Sequence, residues 1–256
     1  MSAYVIAVAN QKGGVGKTTT VVNLAASLVA KGKKVLIVDL DPQGNATTGS
    51  GINKGSVKLG VYHVLLGEHS VNEAKLASPT GGFDVLAANR SLSGAEVELV
   101  QELAREMRLK NALQDVRGDY DYILLDCPPT LTLLTLNGLV GADHVIVPMV
   151  CEYYALEGIS DLVATLRKIR QAINPSLSLL GIVRTMFDAR SKLSQQVSEQ
   201  LSEHFGPELF TTNIPRNVRL AEAPSHGMPA LAYDANARGT LAYLALADEV
   251  MARLAK

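Results

Sequence analysis

A glycine-rich stretch directly behind an apolar run constrains this chain more than any other feature. The apolar run covers residues 4–9, and the stretch that follows it reads Lys12-Gly13-Gly14-Val15-Gly16-Lys17-Thr18-Thr19. Glycines let backbone N–H groups turn toward an anion, and the N-terminus of a following helix adds positive potential. The pattern therefore predicts a strand, a phosphate-binding loop and a helix, with the Lys17 ammonium on the β- and γ-phosphates and the Thr18 hydroxyl on Mg²⁺.

The loop departs from the common P-loop spacing G-x-x-x-x-G-K-[ST] at one point. Gln11 occupies the position of the first glycine, and an additional lysine, Lys12, follows it. This departure is typical of one branch of P-loop proteins. The alternative is a glycine-rich turn that binds nothing, which the preceding strand, the following helix and the two lysines disfavour.

Composition indicates a soluble domain of enzyme size. The chain has 256 residues, of which 47% are hydrophobic, and a net charge of −1, so we expect one domain over residues 1–256 with a large core. Any polyanion would have to bind a local patch. Cys127 and Cys151 form no C-x-x-C motif, and the histidines show no metal-ligand spacing. Since neither a secretory signal nor a membrane-spanning apolar run is evident, we expect a cytoplasmic protein.

Short apolar runs alternate with helical patterns along the chain. The predicted strands are 4–9, 35–38, 83–86, 122–125, 144–148, 179–183 and 209–210. The predicted helices are 17–31, 94–116, 131–140, 155–173, 192–204 and 240–255. This alternation predicts an α/β fold with a doubly wound, mostly parallel sheet flanked by helices, in which ligands bind at the carboxyl ends of the strands. Residues 44–58 are rich in Gly, Ser, Thr and Asn, and we interpret them as a loop, a candidate mobile switch.

Two acidic motifs follow predicted strands. The first reads Asp39-Leu40-Asp41-Pro42-Gln43-Gly44-Asn45, and the second places Asp126 after the apolar run 122–125. Beside a nucleotide phosphate, such carboxylates can hold Mg²⁺ or position an attacking water. Each also has a purely structural alternative, a strand-end turn or a helix cap. The phosphate-binding loop favours the functional interpretation of both.

Several of these motifs together resemble the ParA/Soj family of chromosome-partitioning ATPases, within the P-loop NTPase fold. The resemblance rests on the loop at 12–20, the two acidic motifs, Thr185-Met186-Phe187-Asp188-Ala189-Arg190, and residues 214–227, which begin Ile214-Pro215-Arg216-Asn217-Val218-Arg219. It extends from residue 4 to the end of the chain. The last two motifs are the most specific, because the wider group that includes MinD does not carry them in this form.

The resemblance implies a Mg²⁺- and ATP-dependent homodimer. Lys12 would reach across the dimer to the phosphates of the partner, Lys17 would hold phosphates within one chain, and Asp41 would orient the attacking water. The Mg²⁺ site would comprise Thr18, Asp39 and Asp126, with Asp39 in a supporting role. The nucleotide would be bound by Lys12, Gly13, Gly14, Val15, Gly16, Lys17, Thr18, Thr19 and the adenine-contacting residues Pro215 and Asn217.

The resemblance also implies that Arg190 and Arg219 bind DNA without sequence preference, and that a ParB-like centromere-binding protein stimulates slow hydrolysis at the nucleoid. From the residues alone this is less evident, because basic and acidic side chains are mixed between 184 and 219. A solvated mixed face is the alternative there. The C-terminal helix carries an apolar stripe with balanced charges, which favours docking on the core over stable membrane association.

Three other functions remain open at this point. One is a related ATPase that positions a different cargo on the nucleoid. Another is a MinD-like regulator that cycles on and off a membrane. The third is a scaffold that binds nucleotide without hydrolysing it.

Overall fold

The computed structural model describes residues 2–255, and a single eight-stranded sheet forms its centre. The strands are β1 (Tyr4–Val8), β2 (Val35–Asp39), β3 (Lys75–Ala77), β4 (Asp84–Leu86), β5 (Tyr122–Asp126), β6 (His144–Val150), β7 (Ser178–Phe187) and β8 (Leu209–Pro215). Their order across the sheet is β3-β4-β2-β5-β1-β6-β7-β8. All neighbours pair in parallel except β3 and β4. The predicted doubly wound, mostly parallel sheet is confirmed.

Helices cover both faces of this sheet. They are α1 (Lys17–Ala30), α2 (Asn45–Gly49), α3 (Val61–Leu66), α4 (Val71–Ala74), α5 (Leu92–Glu98), α6 (Arg108–Leu113), α7 (Leu133–Gly141), α8 (Ala155–Ala172), α9 (Lys192–Phe205), α10 (Val218–Glu222), α11 (Ala230–Tyr233) and α12 (Arg238–Leu254). Alternate strand residues bury into two separate apolar layers, as the two-residue period of a strand requires. In β1, Val5 and Ala7 pack beneath α3 to α9, whereas Ile6 and Val8 pack against α1 and α12.

The edge strand β3 was not among the predicted strands. It comprises only Lys75, Leu76 and Ala77, and it pairs with β4 alone. Leu76 and Ala77 are exposed. Such a short edge strand has no continuous apolar run, because only one of its sides is paired and its side chains contribute little to the core.

The single helix predicted over 94–116 is wrong. The chain forms α5 and α6 separately, joined through short 3₁₀ turns and an irregular stretch. Between them, Leu103 is 90% exposed and Ala104 has φ of +51°, in the left-handed region that interrupts a helix. Leu99 and Leu109 are both fully buried, so the chain turns outward between two points that pack into the core.

The C-terminal helix docks on the core, as predicted. In α12, Tyr243, Leu246, Ala247 and Val250 are buried in the layer that also contains α1. None of the helices described over residues 2–255 has the length and apolar character needed to cross a membrane. Cys127 and Cys151 are both buried and unpaired.

Candidate nucleotide-binding site

The phosphate-binding loop connects β1 to α1 at the carboxyl edge of the sheet. Gly14 and Gly16 have φ of +72° and +87°, a backbone conformation that side chains disfavour, which explains why glycine occupies both positions. Lys17 is 8% exposed, and its ammonium donates a hydrogen bond to the Lys12 carbonyl oxygen at 3.1 Å. Burial lowers the pKa of Lys17, and the nearby Asp126 opposes that shift. A buried ammonium over an open loop is suited to bind an anion.

Thr18 and Asp126 meet beside this loop. The Thr18 hydroxyl donates to Asp126 Oδ2 at 2.7 Å, and Asp126 is 1% exposed. The other carboxylate oxygen, Asp126 Oδ1, is buried and has no hydrogen-bond partner among the described residues. Burial, and next the charge of Asp39, raise the pKa of Asp126 well above its usual range. A hydroxyl and an unpartnered carboxylate oxygen at one point are ligands that Mg²⁺ prefers, so the donor set fits that ion.

Asp39 lies fully buried at the end of β2 and is held by the start of α2. Its Oδ2 accepts hydrogen bonds from the Thr47 amide at 2.8 Å and the Thr47 hydroxyl at 2.7 Å, while Oδ1 accepts from the Asp41 amide at 3.2 Å. Burial raises the pKa of Asp39 to about 6, despite the Thr47 bonds that lower it. The segment 44–58, which we interpreted as a loop, therefore contains a helix anchored to the site. Thr47 is a site residue that sequence reasoning missed.

Asp41 follows Asp39 and forms a tight turn. Its Oδ1 accepts a hydrogen bond from the Gln43 amide at 2.9 Å, and its carbonyl oxygen accepts from the Gly44 amide at 2.8 Å. The turn is the structural role that the sequence left open for this aspartate. It is compatible with the predicted hydrolytic role, because the side chain is only partly buried at the same strand edge as Asp126.

The side chain of Lys12 lies outside the loop rather than over it. Lys12 Nζ and Glu152 Oε2 form an ion pair at 2.5 Å, and the two side chains are 51% and 55% exposed. Gly13, next to it, is also exposed and has no neighbour within 4 Å of the position a Cβ would occupy. Lys12 and Lys17 thus occupy different environments, one at the surface and one buried within the loop.

A pocket of about 220 Å³ adjoins the other end of the loop. Its lining combines Gly16 and Thr19 from the loop region with Pro215 and Asn217, the two residues expected to contact adenine. Asn217 also caps α10, because its Oδ1 accepts a hydrogen bond from the Arg219 amide at 3.0 Å. A mostly apolar pocket beside a phosphate-binding loop is suited to bind a nucleobase.

Seven further pocket residues were not among the candidate site residues, and Met186 and Tyr243 are two of them. Met186 has φ of +49°, an uncommon conformation at a side-chain-bearing residue, and Tyr243 reaches the pocket from α12. Beside Met186, the Thr185 hydroxyl donates to the Val15 carbonyl oxygen at 2.8 Å and ties β7 to the loop. Thr185 and Met186 stand in one of the motifs quoted above, which was the available signal, whereas Tyr243 looks like an ordinary core residue in the sequence.

The two candidate DNA-binding arginines lie at the surface with acidic neighbours. Arg190 is 91% exposed and pairs with Asp188 at 3.1 Å. Arg219 is 50% exposed and pairs with Glu222 at 2.9 Å and with Asp234 at 3.2 Å. Both guanidinium groups are accessible to a polyanion, which would have to compete with these carboxylates.

Comparisons with known proteins agree with this geometry. A family model described as an AAA domain matches residues 3–179. The sporulation initiation inhibitor protein Soj of Bacillus subtilis is 51% identical, with 97% of this chain and 98% of that protein covered. The chromosome partitioning protein ParA of Caulobacter vibrioides is 48% identical, with coverage of 97% and 94%. A crystal structure of cobyrinic acid a,c-diamide synthase from Mycobacterium smegmatis, with an ATP analogue and magnesium, is 38% identical, with a TM-score of 0.86 and coverage of 97% and 94%. The chain belongs to the ParA/Soj family of P-loop ATPases.

Proposed function

We propose that this protein is a Mg²⁺- and ATP-dependent ATPase that partitions chromosomes by binding DNA as a dimer. The observation that carries the proposal is the meeting of Thr18 and Asp126 beside the loop that holds Lys17, where Asp126 Oδ1 has no hydrogen-bond partner within residues 2–255. The relatives named for chromosome partitioning, at 48% and 51% identity, support the biological role. The synthase with the bound ATP analogue is less similar, at 38% identity. The site of action would be the nucleoid in the cytoplasm.

Within this function each residue of the site has a separate task. Lys17 and the loop amides of Gly13, Gly14 and Gly16 would hold the phosphates. Thr18 and Asp126 would hold Mg²⁺, whose charge would offset that of the transferred phosphoryl group. Residues 2–255 contain no cluster of three or more His, Cys, Asp or Glu side chains placed to bind a metal alone. Phosphate oxygens and water would therefore complete the coordination, as is usual for Mg²⁺.

The two aspartates at the end of β2 and just after it would have different roles, Asp39 in positioning and Asp41 in catalysis. Asp39 supports the Mg²⁺ site indirectly, since its oxygens already accept bonds from Thr47 and Asp41. Asp41 would orient the attacking water. The Asp41→Ala variant should retain ATP, stop hydrolysing it and accumulate as a dimer in size-exclusion chromatography. A monomeric variant with normal hydrolysis would contradict this role.

Homodimerisation would bring Lys12 to the partner's phosphates, where a cation can stabilise the charge that develops during hydrolysis. The Lys12→Ala variant should bind nucleotide as a monomer but form no ATP-dependent dimer. Slow hydrolysis and its stimulation by a ParB-like partner complete the proposal. All of residues 1–256 would serve as one ATPase domain, which is supported by the single sheet that runs from β1 to β8.

DNA binding would depend on Arg190 and Arg219, doubled in the dimer. A net charge of −1 makes a monomer a weak binder of polyanions, whereas two copies of a small basic patch bind more strongly. The ion pairs with Asp188, Glu222 and Asp234 further weaken the attraction of each arginine for a DNA phosphate. This is consistent with a sequence-independent contact that forms only when ATP brings two patches together.

The deciding experiment is a salt titration of DNA binding with ATP on two unrelated duplexes. Wild type should bind both equally, and the Arg190→Ala and Arg219→Ala variants should each flatten the slope of log affinity against log salt by about one unit per lost phosphate contact. Arg167→Ala is the matched control, because Arg167 is an exposed arginine on α8, across the sheet from α10. Unaltered slopes in both variants with intact dimers would refute the DNA assignment. Binding to liposomes instead of DNA would favour the MinD-like function.

A further inference from the structure

Asn10 lies between β1 and the glycine-rich stretch, and the function proposed above assigns it no role. It is 8% exposed, although asparagine is usually a surface residue. Both ends of its side-chain amide are bonded: Nδ2 donates to the Pro148 carbonyl oxygen at 2.8 Å, and Oδ1 accepts from the Lys12 amide at 2.9 Å. This buried side chain therefore joins β6 to the first part of the phosphate-binding loop.

The bond to Pro148 continues the pairing of β1 with β6 beyond the end of β1. The two strands are parallel, and the Ala9 amide donates to the Ile146 carbonyl oxygen at 3.1 Å. Since the side of a strand that a backbone group faces repeats every second residue, the next acceptor along β6 is the Pro148 carbonyl. The Asn10 side chain donates to it, and the backbone leaves the sheet at this residue to enter the loop.

The bond to Lys12 fixes one of the two peptide groups beside the Lys12 Cα. The Lys12 amide is held by Asn10 Oδ1 in a turn typical of asparagine, and the Lys12 carbonyl oxygen accepts from the Lys17 ammonium at 3.1 Å. Because the backbone on both sides of a Cα sets the direction of its Cα–Cβ bond, these two bonds define where the Lys12 side chain leaves the loop. The rest of that side chain is half-exposed.

Nucleotide binding would weaken one of these two bonds and leave the other. The Lys17 ammonium is the group proposed to hold the phosphates, so its donors would be divided between phosphate and the Lys12 carbonyl oxygen. Asn10 is not among the residues proposed to contact nucleotide. We propose that Asn10 is a positioning residue for hydrolysis, which holds the Lys12 backbone so that the Lys12 ammonium reaches the partner's phosphates. This role rests on the dimeric ATPase proposed above.

The first test separates kcat from KM in the Asn10→Ala variant. Both kcat and kcat/KM should fall together by at least about tenfold, because a catalytic group displaced by about 1 Å can lose about 100-fold in rate. Affinity of the monomer for a fluorescent ATP analogue should stay at the wild-type value, since Lys17 and Thr18 are placed by α1. All proteins are compared at one concentration, so that any weakening of the dimer is included in the loss of kcat.

Asn89→Ala is the matched control for this variant. Asn89 makes the same pair of bonds, because its Oδ1 accepts from the Ser91 amide at 3.0 Å and its Nδ2 donates to the Val57 carbonyl oxygen at 3.2 Å. Its kcat should equal that of wild type. Wild-type kcat in Asn10→Ala, or equal losses in the two alanine variants, would refute the positioning role. If Asn10→Ala does not fold, Asn10→Leu removes the same bonds with a side chain of similar shape.

Amide hydrogen exchange of Lys12, measured by NMR spectroscopy without nucleotide, tests the turn independently of activity. Wild type should protect this amide, and Asn10→Ala should lose the protection. Asn10→Ser should keep part of it and recover part of kcat, because a serine hydroxyl accepts the same bond more weakly. Equal exchange in wild type and Asn10→Ala would overturn the proposal.

Combining Asn10→Ala with Lys12→Ala tests whether Asn10 acts through Lys12. The two losses in kcat should not add, because Lys12→Ala already removes the group that Asn10 positions. Losses that multiply would refute the role, since Asn10 would then act on the fold alone. If wild type binds ATP without hydrolysing it, the proposed ATPase is refuted and the role of Asn10 with it. A hydrolysing wild type with an equally active Asn10→Ala variant refutes only the role of Asn10.

Discussion

The buried bonds around Thr47 predict a large loss of stability from a change that conserves shape. The Thr47 hydroxyl donates to Asp39 Oδ2 at 2.7 Å and accepts from the Ala88 amide at 2.9 Å, and all three residues are buried. Thr47→Val removes the hydroxyl and leaves a methyl group in its place. Loss of a hydrogen bond to a carboxylate costs about 1.5–3 kcal/mol, and an unsatisfied buried amide costs about 1–3 kcal/mol.

Together these two effects should lower the free energy of unfolding by about 4 kcal/mol. For a chain of this length that corresponds to a fall in melting temperature of about 8–16 °C. Differential scanning calorimetry without nucleotide measures it. Thr47→Ser keeps the hydroxyl and loses only a methyl group, so its cost should be about 1 kcal/mol.

Thr48→Val is the matched control in the same helix. Thr48 is exposed, and its hydroxyl donates only to the Gly44 carbonyl oxygen one turn earlier, at 3.0 Å. Its removal should change stability by no more than about 0.5 kcal/mol. Equal melting temperatures for the Thr47→Val and Thr48→Val variants would refute the view that Thr47 fastens α2 to Asp39.

Three further predictions concern single positions. Lys17→Ala should weaken ATP binding by at least about tenfold while the circular dichroism spectrum is unchanged, because the lost interaction is a charge-assisted contact with phosphate; unchanged affinity in a fluorescent-nucleotide titration would contradict it. Gly51→Ala should destabilise by about 2 kcal/mol or more, since φ is +83° and the new Cβ would lie 2.7 Å from the Gly227 carbonyl oxygen. Gly32→Ala, at φ of +76° with open space, is its control and should cost about half as much by thermal melting. Arg184→Met should lower the melting temperature without altering the salt slope of DNA binding, because Arg184 donates to Ser198, Phe210 and Thr211 across β7, α9 and β8.

The parts of the site that sequence could predict are those encoded locally. The loop glycines, Lys17 and Thr18 occupy one continuous strand, loop and helix, so spacing alone defines their geometry. Asp126 was predictable because β5 is parallel to β1, so a carboxylate at the end of β5 lies at the same edge of the sheet as the phosphate-binding loop that follows β1. For the same reason the seven predicted strands all correspond to strands of the sheet, whereas the short edge strand β3 carries no such pattern.

Sequence reasoning failed where a residue's role depends on a contact that no local pattern encodes. Thr47 is one of several small polar residues between 44 and 58, and only the fold shows that its hydroxyl meets Asp39 and the Ala88 amide. Arg184 was counted with the basic residues of a possible DNA-binding face, yet it is half-buried and bonded to the protein. The composition of a segment does not distinguish an arginine that crosslinks elements from one that faces solvent.

The same difference, between a residue bonded inside the protein and one that faces solvent, separates Lys17 from Lys12. Lys17 is buried, and its ammonium donates to the Lys12 carbonyl oxygen of the same loop. Its position is therefore held by contacts within one chain. Lys12 is half-exposed and paired with Glu152, 140 residues away in the chain, by a weak surface bond. A buried lysine bonded within its own loop is suited to bind a ligand at that loop, whereas an exposed lysine in a weak ion pair can change partners at little cost. We therefore expect different outcomes for two lysines five residues apart: Lys17→Ala should weaken nucleotide binding within one chain, whereas Lys12→Ala should leave that binding and act on ATP-dependent dimerisation.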